Sequence, residues 1–179
     1  MTLTRSTYES RWKSIAHSRL WLMLFVAIGS VSSAIYPHPP LVALGAIAGT
    51  TLSPRRALLA AIALWFASQL YGFGLRGYPQ TVEAIAWGLA IGLGTLLVTA
   101  IASLRPASSR TDFRRHCLWI GASAIAGFAV FQGIIFSLGW LLTGTHILTG
   151  AIVTQLFAKE LLWTGILTVA YRLLFKRDR

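Results

Sequence analysis

The sequence predicts an all-α integral membrane protein with six transmembrane helices, and three observations carry that expectation. Of 179 residues, 55% are hydrophobic and only 12% charged, with a mean hydropathy of +0.65, whereas soluble domains carry roughly 25% charged residues. The apolar residues gather into long runs, and a bilayer core about 30 Å thick is crossed by roughly 20 such residues in a helix. The 16 Lys and Arg outnumber the 5 Asp and Glu, yet they fall between the apolar runs. That placement ties the basic excess to membrane topology and excludes a nucleic-acid partner as its explanation.

Taken in order, residues 1–19 form a basic segment in which Tyr8, Trp12 and Ile15 are spaced to share one helical face. It reads either as a helix lying along the inner membrane surface or as a solvated tail. The first span covers 20–36 and stops at Pro37-His38-Pro39-Pro40. A cleavable leader is disfavoured there, because the preceding basic region is 19 residues long and contains Glu9. The second, 41–52, is short for a crossing and ends at Ser53-Pro54-Arg55-Arg56. The remaining spans are 57–75, 81–104, 116–142 and 148–175. Backbone amides cannot stay unpaired in hydrocarbon, so these runs should be helices. The chain reads as one transmembrane domain over 1–179, since its longest polar connection, RPASSRTDFRR at 105–115, is too short to fold alone.

Orientation follows from the basic residues, which are enriched in cytoplasmic loops. Fourteen of the 16 precede span one, follow spans two and four, or close span six; Arg76 lies in an opposite loop and Lys159 within a helix. Both termini are therefore expected in the cytoplasm of a multi-pass plasma (inner) membrane protein, with the loops at 37–40, 76–80 and 144–146 facing outward.

Polar side chains at membrane depth concentrate in the outward half. Gln69 and Tyr71 end span three, Arg76, Tyr78 and Gln80 occupy the next loop, and Glu83 opens span four. Gln132 lies in span five, His146 in the last outer loop and Gln155 just inside span six. Lys159 and Glu160 lie about 12 residues, or about 18 Å, down that span. Intramembrane charges cost at least ~2.5 kcal/mol each and are normally paired or functional. Two readings stay open for this pair, an interhelical contact that fixes packing and a role in ligand contact or gating. Glu83 is a partner for Lys159 only if spans four and six are neighbours. The inner halves lack charge, amide and histidine, which suggests a cavity open outward and closed below.

His38 and His146, both in outer loops, are candidate ligands for the metal centre of a bound substrate, while His17 and His116 read as solvated. Gly29 with Ser33, Ser30 with Ala34, Gly45 with Gly49 and Gly88 with Gly92 are spaced for close helix approach. Trp87 and Trp140 are candidates for stacking on a flat ligand. The single cysteine, Cys117, excludes an internal disulfide and any CxxC site. No HExxH, GxSxG or GxxxxGK[ST] pattern supports a protease, hydrolase or ATPase.

The residues at 34–40, Gly45 to Gly49, Arg55-Arg56, Gly77-Tyr78-Pro79 and Trp87-Gly88 resemble the substrate-binding S-components of energy-coupling factor transporters. Within that family the chain is similar to the solitary cobalamin-specific, BtuM-like group. The resemblance implies a vitamin-like small molecule, with cobalamin as the favoured transported ligand and no permanently bound cofactor. It also implies a transmembrane coupling subunit carrying ATPases, which would meet the small residues of the first helix. That group uses a cysteine in the loop after span three; here the loop offers Gln80 instead. The expected function is thus a membrane-embedded substrate-binding transporter subunit, not an enzyme. Its pocket would draw on Tyr78, Gln80, Glu83, Gln132, His146, Gln155, Lys159 and Glu160, with Arg76 and His38 at the rim. The alternatives are a non-transporting membrane scaffold or assembly protein and, with less support, an intramembrane enzyme.

Overall fold

The structure is a computed structural model that describes residues 5–143 and 149–177. Among these residues it is built of helices and turns alone. Helix α1 (Arg5–Ala16) is followed by α2 (Arg19–Ile35), α3 (Leu41–Thr51), α4 (Pro54–Gln69), α5 (Val82–Ser103), α6 (Phe113–Thr143) and α7 (Gly150–Arg177). A π-helical turn, Leu70–Leu75, extends α4, and a 3-10 turn, Ala107–Arg110, joins α5 to α6.

Each expected apolar run is a helix, but not each is a span. Four helical segments among the described residues have the length and apolarity to cross a bilayer: Pro54–Leu75, Val82–Ser103, Phe113–Thr143 and Gly150–Leu174. A fifth exists only if α1 and α2, bent by 61° at Ser18, are taken together. The expected second span is the correction. Helix α3 has 11 residues, about 16 Å of helix, or half the apolar thickness of a bilayer. Prolines fix its limits, with Pro39 and Pro40 before it and Pro54 after it. All its residues are buried. It is an interior strut, apolar all round because protein surrounds it on every side.

Around α3 the other long helices form a ring. Neighbouring contacts run α2 to α4, α4 to α5, α5 to α6 and α6 to α7. The ring closes where Trp21 of α2 meets Tyr171 of α7 at 5.9 Å and Tyr36 meets Trp163 edge-on at 6.1 Å. The ring's outer surface is apolar and exposed, as at Leu59, Leu93, Leu118 and Leu162, the inverse of a water-soluble bundle and what lipid contact requires.

The small residues set the distance between helices. A Cβ on Gly49 would lie 2.4 Å from the Thr99 carbonyl oxygen and 2.7 Å from the Ala102 Cβ, so only glycine permits this approach of α3 to α5. On α5, Gly92 seats the Trp65 ring, whose Nε1 donates to the Gly88 carbonyl at 2.7 Å. Gly29 packs on Leu64 of α4. At the amino terminus, Tyr8, Trp12 and Ile15 do share a face. Tyr8 and Ile15 are buried with Trp12 packed beside them, so α1 is a docked helix and not a solvated tail.

Candidate functional site

Because α3 begins only at the level of Glu160 on α7, the space beyond its first turn is not filled by that helix. A cavity of about 450 Å³ lies there, within the roughly 300–1,000 Å³ typical of small-molecule sites. Its walls are chiefly apolar and aromatic, with Phe73, Trp87, Ile91, Phe128, Phe131 and Ile135 prominent. His38, Ser68, Gln69, Tyr78, Gln132, Lys159 and Glu160 add polar groups from five separate segments of the chain.

The boundary between α3 and the cavity is a helix-capping problem. A helix leaves its first N–H groups without intrahelical acceptors, and α3 starts after two prolines with no Ser, Thr, Asp or Asn at its cap. The missing acceptor comes from 117 residues away: the buried Glu160 Oε2 accepts from the Ala43 N–H at 2.8 Å. A carboxylate there also lies at the positive end of the helix dipole. The adjacent Lys159, half-buried, donates from Nζ to the His38 carbonyl at 2.5 Å. Lys159 and Glu160 thus hold the backbone of the α2–α3 connection and of the first turn of α3, and Glu83, exposed at the start of α5, is not the partner of Lys159.

Tyr78 is placed by the connection between α4 and α5. The π-helical turn and Gly77, with φ of +67°, carry the chain back so that the Tyr78 N–H donates to the Gly72 carbonyl at 3.1 Å. The ring then rests on Gly72, where a Cβ would lie 2.7 Å from it. Extra turns of this type are rare and cluster at functional sites. Arg76 lies outside the cavity wall and donates to the Ala34 carbonyl at 2.9 Å, tying the connection to α2. His38 at the mouth has its pKa lowered below 6.5, first by partial desolvation and then by the charges of Lys159 and Arg76.

Of the residues expected to form the site, His38, Tyr78, Gln132, Lys159 and Glu160 meet at this cavity. Gln80, Glu83 and Gln155 are exposed and not on its wall, and Trp140 is 72% exposed, also away from it. His146 lies outside the described residues, so the expected His38–His146 metal pair is not described by the structure. Among the described residues, no group of three or more His, Cys, Asp and Glu side chains is placed to hold a metal.

Sequence reasoning missed the aromatic wall from α6 and the contribution of Gln69 and Ser68, whose side chains bond each other at 3.1 Å. The signal for Gln69 was its proximity to Trp65 on the helix face that meets Gly88 and Gly92. The buried, unpaired acceptor is Gln132: it is 7% exposed, and its Oε1 has no hydrogen-bond donor among the described residues. No protein-family model matches the chain, and no curated protein or solved structure matches it either.

Proposed function

We propose that the protein is a membrane-embedded solute-binding subunit that takes up a vitamin-like small molecule, with the cavity beyond α3 as its binding site. The distribution of Lys and Arg supports an orientation with both termini in the cytoplasm and the cavity opening outward. The carrying observation is Gln132. A buried polar atom without a partner costs about 1–3 kcal/mol, and Gln132, which carries one, lines an apolar, aromatic-walled space of ligand size. A solute with a flat ring and a hydrogen-bond donor would satisfy both features.

The cavity's size suits a one- or two-ring vitamin as it stands. Cobalamin, the specific candidate from the S-component resemblance, would require the mouth at 37–40 and 76–80 to spread around the corrin. A coupling subunit with ATPases would have the accessible Ser30 and Ala34 of α2 to meet, because Gly29, Ser32 and Ser33 are turned inward. The second reading, a non-transporting scaffold, draws on Lys159 and Glu160, which hold backbone in the ligand-free chain. An acid/base enzyme is less well supported, since the Glu160 carboxylate is already engaged by Ala43.

The test separates these readings at Gln132, since replacing Lys159 or Glu160 would disturb the fold under any of them. Purified protein is examined by absorbance and mass spectrometry for a co-purifying small molecule, then titrated with a panel of vitamins, cobalamin included, in a thermal-shift assay. One vitamin should stabilise the wild type. Gln132→Leu should keep or raise the unliganded thermal midpoint and lose about tenfold or more in affinity, in line with the cost of an unmade buried hydrogen bond. Cavity-filling Ile135→Trp should abolish binding. Absence of any stabilising vitamin, or unchanged affinity in both variants, would overturn the proposal in favour of the scaffold.

A further inference from the structure

At the opposite end of α3, the residues after α5 make an arrangement unrelated to solute uptake. Arg105 has a φ of +25°, the one positive value outside glycine among the described residues, which a residue carrying a Cβ adopts only under constraint. Its side chain turns inward and is only 5% exposed. The guanidinium lies over the Trp12 ring at 3.7 Å, and Nη2 is 3.3 Å from Nδ1 of the fully buried His116. Nε and Nη1 are buried without a hydrogen-bond partner among the described residues. Burial lowers the pKa of Arg105 to about 10, so the group is still a full cation at neutral pH. A buried cation is strongly unfavourable unless matched by an anion and hydrogen-bond acceptors.

A pocket of about 140 Å³ adjoins it, lined by Tyr8, Glu9, Trp12, Lys13, Arg105 and Arg110 among others. Glu9 is already engaged with Lys13 at 3.2 Å. Arg110 is held in place by donating from Nη2 to the Arg105 carbonyl at 3.2 Å. With Lys13 and Glu9 set against each other, Arg105 and Arg110 leave the pocket an excess of positive charge, and the two unused donors of the buried Arg105 match the oxygens of a tetrahedral oxyanion. The pocket lies between α1, the end of α3 and the residues after α5. Basic pockets between membrane helices bind anionic head groups.

We propose that this pocket binds a phosphate group, with Arg105 as the buried anchor and Lys13 and Arg110 at the mouth, so that an anionic phospholipid head group clamps α1 onto the bundle. The phosphate chemistry is common to a lipid and to free phosphate, and the experiment distinguishes the two. Full-length protein is reconstituted in phosphatidylcholine nanodiscs with and without phosphatidylglycerol, and bound lipid is counted by native mass spectrometry after release. In parallel, detergent-solubilised protein is titrated with inorganic phosphate in a thermal-shift assay.

One retained phosphatidylglycerol per chain is expected, with retention falling about tenfold in Arg105→Gln and in the mouth variant Lys13→Gln/Arg110→Gln. The control Arg19→Gln, outside the pocket, should keep it. The double variant leaves the buried Arg105, Trp12 and His116 side chains in place, so the outcome does not depend on Arg105→Gln folding. A shift with inorganic phosphate and no selective lipid retention would assign the same site to a free phosphate. Equal retention of phosphatidylglycerol in both variants, or a lack of response to either phosphate source, overturns the proposal. So does a large loss of stability in Glu9→Gln with no effect of phosphate, which would make Glu9 the counter-charge.

Discussion

The two ends of α3 pose opposite problems and are closed in opposite ways. Its first turn presents N–H donors, and the acceptor is one carboxylate, Glu160, reaching in from α7. Its last turn presents oxygen acceptors, and the donors are indoles: Trp12 Nε1 to the Thr50 carbonyl at 3.1 Å and Trp21 Nε1 to Thr51 Oγ1 at 3.0 Å. A carboxylate is small and satisfies the helix end while leaving the volume beyond it open. Two tryptophans satisfy their end and take up most of the space beyond it. The same short helix therefore has a ligand-sized cavity at one end and, at the other, an aromatic floor that leaves only the small basic pocket of about 140 Å³.

The comparison depends on α3 holding its height in the ring, and the largest effect is expected where that height is set. Gly49→Val would drive a side chain into the Thr99 carbonyl, which as backbone cannot move aside. Overpacking at a helix contact of this kind should cost about 3 kcal/mol, read as loss of folded protein and of thermal midpoint in detergent. Gly165→Ala on α7, where an added Cβ meets nothing within 4 Å, should be tolerated or slightly stabilising. Equal behaviour of the two variants would remove the close approach as the determinant of α3's position.

A smaller loss is expected on removing the Glu160 closure alone. Glu160→Leu leaves the Ala43 N–H buried and unpaired, at a cost of about 2 kcal/mol, and hydrogen exchange should accelerate at residues 41–44 while 48–51 stay protected. Glu160→Gln retains an acceptor and should recover much of the loss. Exchange rising equally at both ends of α3 would mean that Glu160 supports the whole bundle and not one terminus.

The helices were legible in the sequence because membrane-length apolar runs and prolines leave little freedom, and the observed ends lie within a few residues of the expected ones. The role of 41–51 was not legible, since an apolar helix of that composition fits lipid or protein equally well and only its neighbours decide. Lys159 and Glu160 stood out as costly groups, but their partners are backbone atoms of residues 38 and 43, which carry no side-chain signal. A short apolar helix opening on two prolines without a polar cap was the available clue. Arg105 was obscured for a different reason: as one of 14 basic residues marking topology, it looked like its exposed neighbours, and His116, expected to be solvated, is fully buried beside it.

The smallest effect sharpens the cavity end of α3 at its mouth. The His38 backbone carbonyl accepts from Lys159, and its ring shares the rim with the Lys159 and Arg76 charges. Partial desolvation and these two cations favour the neutral ring, so the folded-state pKa lies below the ordinary 6.5. Between those two values the unfolded chain binds a proton that the folded chain does not, and stability therefore rises with pH across that window. The contribution is complete above about 6.5 and is lost as acidification carries the solution down through the folded pKa. The thermal midpoint of wild type should fall modestly on acidification from neutral pH, and His38→Gln should flatten part of that slope. Because Gln cannot titrate and leaves the backbone carbonyl in place, the difference between the two curves isolates the ring. Parallel curves would show that protonation at the mouth is not coupled to the fold, and that Lys159 and Arg76 act on the loop through their backbone bonds alone.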